Sequence, residues 1–422
     1  MAVKLPYGGR TGPPVNYNLY SCLILILLIL SPAAAAQPDE SADPVPFTIT
    51  LFIPSSTMIH SDQVLDQINT LDGEGVLLGT SFGLSEYNGT WSTRHINRDN
   101  ISEGLMDEYI TAIEFDHEGN LWIGYSGGIQ IFNGIFYQSL RDQQLFKDLR
   151  IRDLQRWHDD MWVATGNSGL HRFRNGAWTW FQPMTKNGPE FYEVREMVMD
   201  TRSDSLLLAT ADNGLWIVKS PDDPVVFEQI APKRGSYGLL DHVKRDPMGG
   251  VYFFNDTMVV HYSPGPGFVP VLTTRDLTRA TIEINDLSAD PFGTLYIATD
   301  HAIYIWKHDQ VYRRLSRFEG IGTSEVVRTV TVDSQNRVWF STAGHVGYYR
   351  EDPGAQSPIL VETAAPHTTP DLPEPAGTFQ PIETPVVTMD EDSGSRTGGL
   401  APILDPIIHA IQAILAKLGI VI

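Results

Sequence analysis

One apolar run recurs through this chain at a nearly constant interval. It reads VLLGT at 76–80, LWIGY at 121–125, MWVAT at 161–165 and LLLAT at 206–210, then VYFFN at 251–255, LYIAT at 295–299 and VWFST at 338–342. The second positions, Leu77, Trp122, Trp162, Leu207, Tyr252, Tyr296 and Trp339, are 40 to 45 residues apart. A repeat of that length means units that cannot bury their own apolar faces and must stack on one another. One unit, Ile110 to Leu140, can be read whole. ITAIEF leads through Asp116–Asn120 to LWIGY, then through Ser126-Gly127-Gly128 to IQIF, and through Asn133-Gly134 to IFYQSL. Asn-Gly between apolar runs is a strong hairpin signal, because both residues tolerate positive φ. Four antiparallel strands in a meander make one blade of a β-propeller. Strands apolar on both faces suit a blade held between two neighbours.

Other strands keep the same beat. First strands are expected at INTL (68–71), ITAIEF (110–115), IRDLQRW (151–157), VREMVMD (194–200), LLDHVKRD (239–246), INDLSAD (284–290) and VRTVTVD (327–333). Third strands open at Gly83-Leu84, Gly128-Ile129, Gly169-Leu170 and Gly214-Leu215, and Asn-Gly returns at Asn88-Gly89 and Asn175-Gly176. The seventh unit lacks a fourth strand, since the chain turns to Pro353-Gly354 after HVGYYRED (345–352). FTITLFI (47–53) is a lone strand pattern ahead of the first unit. It is expected to complete the seventh blade, closing the ring and removing an edge open to pairing. The predicted fold is all-β, a seven-bladed β-propeller over residues 47–351.

Asp116–Gly124 (DHEGNLWIG) resembles the two-component-regulator propeller repeat almost residue for residue. NTLDGEGVLLGT (69–80) and VDSQNRVWFST (332–342) match less closely, and RDPMGGVYFFN (245–255) departs most. The resemblance spans about 68–351. It implies the propeller fold and an extracytoplasmic sensor part of histidine kinases and related regulators. No kinase, receiver or DNA-binding segment is recognisable here, and propellers host many activities.

Residues 1–36 read as a secretory signal. Lys4 and Arg10 precede a largely apolar stretch, Leu19–Leu30, and Ala34-Ala35-Ala36 offers a small-residue cleavage site before Gln37. The apolar stretch is short for a span of roughly 20 residues, although an uncleaved anchor is the alternative. The chain is therefore expected to be exported, extracellular or at the cell surface. Its one cysteine, Cys22, lies within that stretch, so a processed chain has neither disulfides nor thiolate chemistry. The net charge of −21 argues against nucleic acid and against anionic lipid, and favours solubility.

Residues 352–399, rich in Pro, Thr, Ala and acid, read as an extended linker. Residues 400–422 then turn apolar. After Pro406, Ile407, Ile408, Ile411, Ile414, Leu415, Leu418, Val421 and Ile422 fall on one helical face. That amphipathic helix is expected to self-associate, lie on a membrane or dock on the propeller flank.

Chemistry-bearing motifs are scarce. The turn aspartates Asp72, Asp116, Asp290 and Asp333 suit turns, whose backbone N–H groups they accept. Trp157-His158-Asp159-Asp160 falls in a strand-joining turn, and Pro264-Gly265-Pro266-Gly267 is a turn between strands. There is no His-Glu-x-x-His, phosphate loop or Gly-x-Ser-x-Gly. No catalytic, cofactor-binding or metal-ligating residue is singled out. Asn88, Asn100 and Asn255 sit in Asn-x-Ser/Thr acceptors open to glycosylation on export. Three readings follow. The first is a non-catalytic binding or sensing module that takes a small ligand, glycan or protein at the propeller's top face. The second is the structural head of a surface assembly gathered by residues 400–422. The third is a propeller-fold lyase or hydrolase, which needs acids, bases or cations from several blades to converge at the channel.

Overall fold

A computed structural model describes residues 45–54, 59–140, 150–186, 188–352 and 359–362. The signal segment 1–36, residues 363–399 of the linker and the 400–422 helix lie outside the described residues. Within them the chain forms seven sheets, six antiparallel ones of four strands and one of five in which the last strand is parallel. Each sheet is one unit of the repeat. Blade one comprises Val64–Asn69, Val76–Thr80, Gly83–Tyr87 and Trp91–Arg94, and blade two comprises Ile110–Phe115, Leu121–Tyr125, Gly128–Phe132 and Tyr137–Ser139. The innermost strands of blades three to seven are Ile151–Trp157, Val194–Asp200, His242–Arg245, Ile284–Ala289 and Val327–Val332. Each inner strand touches the next, and the seventh touches the first, so the seven surround a central channel.

The second strands are the packed centre of each blade. VLLGT, LWIGY, LYIAT and VWFST are buried at every position. Apolar clusters fill the space between adjacent blades. Leu77 and Leu84 of blade one, for example, meet Ile113, Leu121 and Ile123 of blade two.

The turn motif has a local cause. Asp116 accepts the backbone N–H groups of Glu118 (2.9 Å) and Asn120 (2.8 Å) and the indole N–H of Trp122 (2.9 Å). Asp333 repeats this with Gln335, Arg337 and the Trp339 indole. Asp290 does so with Phe292, Thr294 and the Tyr296 hydroxyl. The repeat thus pairs an Asp with an aromatic donor six residues later because one carboxylate ties the turn to the packed strand. Blade one differs. Thr70 and Asp72 share the turn: Thr70 accepts the Gly75 N–H, and exposed Asp72 accepts the Glu74 N–H (3.0 Å) and the Thr70 hydroxyl.

Ring closure follows the expected route. Phe47–Phe52 pairs antiparallel with His345–Glu351, from Phe47 opposite Glu351 to Phe52 opposite Val346. Side chains alternate along it. Ile49 and Leu51 join the cluster shared with blade six, and Phe52 joins the cluster shared with blade one. Two expectations need correction. The first strand of blade one is Val64–Asn69, not 68–71, because an extra residue there breaks the alternation. The 352–399 segment also contains a strand. Ile359–Glu362 lies parallel to Phe47–Phe52 as a fifth strand of blade seven. Its Ile-Leu-Val run has high β-propensity, and the outer edge of that blade is free to take it.

Candidate binding site at the channel mouth

Six of the seven inner strands shift register at the same place against their second strand, between Val64/Asp66, Ile110/Ala112, Ile151/Asp153, Val194/Glu196, Ile284/Asp286 and Val327/Thr329. Each shift inserts one residue: Leu65, Thr111, Arg152, Arg195, Asn285 and Arg328. A bulge bends its strand and re-aims a side chain. Repeated around a ring where the inner strands begin, it sets a collar of extra side chains at one mouth of the channel.

The residue after four of the six bulges ties blades together. Asp66, Asp153, Glu196 and Asp286 each accept a backbone N–H from the next blade: Ile113 (2.7 Å), Met197 (2.5 Å), Val243 (2.9 Å) and Val330 (2.9 Å). The carboxylates do not balance evenly. Lys244 of blade five sits 3.2 Å from Asp286 and 3.7 Å from Glu196. Burial opposes the charge on Lys244, but these two acids outweigh it and raise its pKa. Burial likewise opposes ionisation of Glu196, yet Lys244 and His242 bring it down to about 2. His242, 3.0 Å from Glu196, is raised although its burial works the other way. Asp66 lacks so close a cation, and burial pushes it up to about 6. Burial also lifts Asp153 and Asp286. One layer deeper, burial takes Glu114 up to about 7.

Above this layer lies a cleft of about 330 Å3 whose lining comes from five blades: Leu65, Thr111, Arg150 to Arg152, Arg195 with Glu196, and His242. Clefts of similar size elsewhere are shared by only two neighbouring blades. One between blades one and two is lined by Leu71, Gly119 and Phe132, and one between blades five and six by Tyr252, His261 and Trp306. Unlike these two, the mouth cleft brings together residues of five repeats. Arg152 bonds Glu193 through one terminal nitrogen (2.5 Å), and Arg195 bonds Asp241 through one (2.6 Å). The buried Arg152 Nε and Thr111 Oγ1 have no hydrogen-bond partner. Arg150 is exposed and enters no ion pair among the described residues.

Residues conspicuous in the sequence lie elsewhere. His158 pairs with Asp204 of the next blade (2.8 Å), whereas buried Asp160 pairs with Arg174 (2.5 Å), so that cluster is divided between two ion pairs. Gly265 and Gly267, both at positive φ, form the outer hairpin turn of blade five. Among the described residues no group of three or more His, Cys, Asp or Glu could hold a metal ion. The collar was missed because a bulge looks like a lapse in alternation. A polar residue one place after the leading apolar residue of five inner strands (Thr111, Arg152, Arg195, Asn285, Arg328) was the available signal.

Residues 104–127, covering the first two strands of blade two, match the family described as "Two component regulator propeller". A sequence search of curated proteins finds no match. Among solved structures, the chain is similar to the extracellular domain of a protein described as a one-component system from B. thetaiotaomicron. The TM-score is 0.55 and the identity 18%, over 72% of this chain and 40% of that one. A hybrid two-component system's extracellular domain from the same organism gives 0.58 and 17%, over 74% of this chain and 42% of that one. This chain thus spans about two fifths of either domain. Virginiamycin B lyase from Staphylococcus aureus gives 0.54 and 10%, over 72% of this chain and 99% of that one. At such identities the likeness is one of fold. Repeat and topology make this chain a seven-bladed β-propeller, and its second blade matches the two component regulator propeller family.

Proposed function

We propose that this protein is an exported, non-catalytic binding propeller of the sensing type, which takes its ligand into the channel mouth. The observation that carries this is the convergence of bulge residues from successive blades on one cleft where two buried polar atoms, Arg152 Nε and Thr111 Oγ1, have no protein partner. Leaving such atoms unpaired costs about 1–3 kcal/mol each, a cost that ligand binding relieves. Extracytoplasmic sensing is supported by the signal-like pattern of residues 1–36 and by similar structures being extracellular domains of regulatory systems.

The test is a thermal-shift screen with small anions, neutral sugars and short peptides, run on the wild-type protein and on Thr111→Tyr, which fills the cleft. A compound that stabilises only the wild type, and is recovered unchanged after incubation, supports binding at the mouth. Stabilisation that survives Thr111→Tyr for every active compound removes the mouth from consideration. Conversion of a stabilising compound replaces the binding reading with an enzymatic one.

A further inference from the structure

We infer that the mouth cleft selects an anionic ligand, seating a carboxylate or phosphate group on Arg150, Arg152, Arg195 and Thr111. This rests on the mouth being the binding site and adds the chemistry of what it takes.

The guanidiniums are incompletely used. Each has five N–H donors in a planar fork, yet Arg152 and Arg195 each meet their carboxylate through a single terminal nitrogen. Those contacts hold the side chains in place and leave donors free, with Arg152 Nε buried and without a partner. Planar two-point donation suits carboxylate and phosphate oxygens. Thr111, a residue 9% exposed, also lines the cleft, and its buried hydroxyl has no hydrogen-bond partner.

The surroundings favour the same sign. Glu196 lines the cleft, but both its oxygens are engaged, Oε1 by His242 and Oε2 by the Val243 N–H, and Lys244 lies behind it. Glu193 and Asp241 offset two of the three arginines, and Arg150 at the rim pairs with no acid among the described residues. Leu65 and Ile151 give the cleft an apolar side, so an anion carrying a small hydrocarbon body fits better than a bare ion. In a chain of net charge −21, a cation-rich cleft is a local exception. An anion reaching it passes a repulsive surface, so selection depends on contacts inside the cleft.

The experiment is titration calorimetry of the purified protein at low ionic strength with inorganic phosphate and with citrate. Wild type is compared with Arg195→Gln, Thr111→Val and Arg275→Gln, the last removing a positive charge from an exposed site outside the cleft. Thermal unfolding of each variant confirms folding. Saturable binding is expected, weakened about 10- to 100-fold by Arg195→Gln, less by Thr111→Val and not by Arg275→Gln. Tighter phosphate identifies a phosphoryl ligand, and tighter citrate a carboxylate. Equal binding by wild type and the cleft variants overturns the inference. If no anion binds but a neutral compound does, and Thr111→Tyr abolishes that binding, the anionic class falls while the mouth reading stands. If nothing responds to Thr111→Tyr, both fall.

Discussion

Asp333 shows how much one side chain carries in this fold. Its carboxylate is fully buried and holds two backbone N–H groups, the Trp339 indole and the Arg337 guanidinium at 2.6 Å. Asp333→Ala leaves a largely buried guanidinium unpaired, which costs about 3–5 kcal/mol. Asp116→Ala, whose lost partners are neutral, is expected to cost about 1–3 kcal/mol. Asp72→Ala is expected to cost the least of the three, because Asp72 is exposed and Thr70 still holds the Gly75 N–H when the Glu74 N–H loses its acceptor. Urea unfolding of the three variants checks the order. An Asp72 variant as weak as the Asp333 one would refute this account of the turn. The glycosylation acceptors separate in the same way. Asn255 donates its amide to the Leu239 carbonyl at 2.9 Å, whereas Asn88 and Asn100 are exposed. On secretion from a glycosylating host, Asn88 and Asn100 are expected to accept sugar and Asn255 to stay bare, which peptide mass mapping reads directly.

At the scale of elements, the N-terminal strand carries the greatest leverage. It buries Ile49, Leu51 and Phe52 between its own blade and the two neighbours. At roughly 1.5–3 kcal/mol per buried side chain, the strand contributes an amount comparable to the whole stability of a typical domain, about 5–15 kcal/mol. Deleting residues 47–53 is therefore expected to abolish cooperative thermal unfolding, and a deletion variant with the wild-type midpoint would remove the closure argument. The bulges are the other decisive element. They trade one ladder position in six of the seven inner strands for a re-aimed side chain.

Across the whole molecule, the channel couples stability to pH. Asp66 stands at about 6 against an ordinary 3.8, and Glu114 at about 7 against 4.5. The folded protein holds these protons more tightly than the unfolded chain, so stability rises as pH falls from above 7 toward 4.5. His242, also raised, acts in the same direction, adding stability below its ordinary 6.5 that is lost as pH climbs. Glu196 acts oppositely: at about 2 in the fold, it contributes stability above 4.5 that disappears in stronger acid. The unfolding midpoint is expected to increase from pH 8 to about 5 and then to fall. Asp66→Asn combined with Glu114→Gln should flatten the rising limb, and an unchanged slope would show that other groups control it.

The parts of this protein legible along the chain are those with local causes. Blade number follows from a period of 40 to 45 residues, and strand identity from apolar runs between turns. Turn chemistry is set by an Asp and an aromatic residue six positions apart, all within one unit. Even the closing strand was visible, because the seventh unit is one strand short and a lone strand precedes the first. The cleft at the channel mouth was not visible. Thr111, Arg152, Arg195 and His242 lie on four different blades, and each looks like an ordinary strand residue in its own unit. They become neighbours only when the ring closes and the bulges turn their side chains toward one axis. The same holds for Lys244, Glu196 and Asp286, whose charges are reconciled across three blades. Period and turn chemistry act over a few bonds, whereas the site depends on distances fixed by the packing of whole blades.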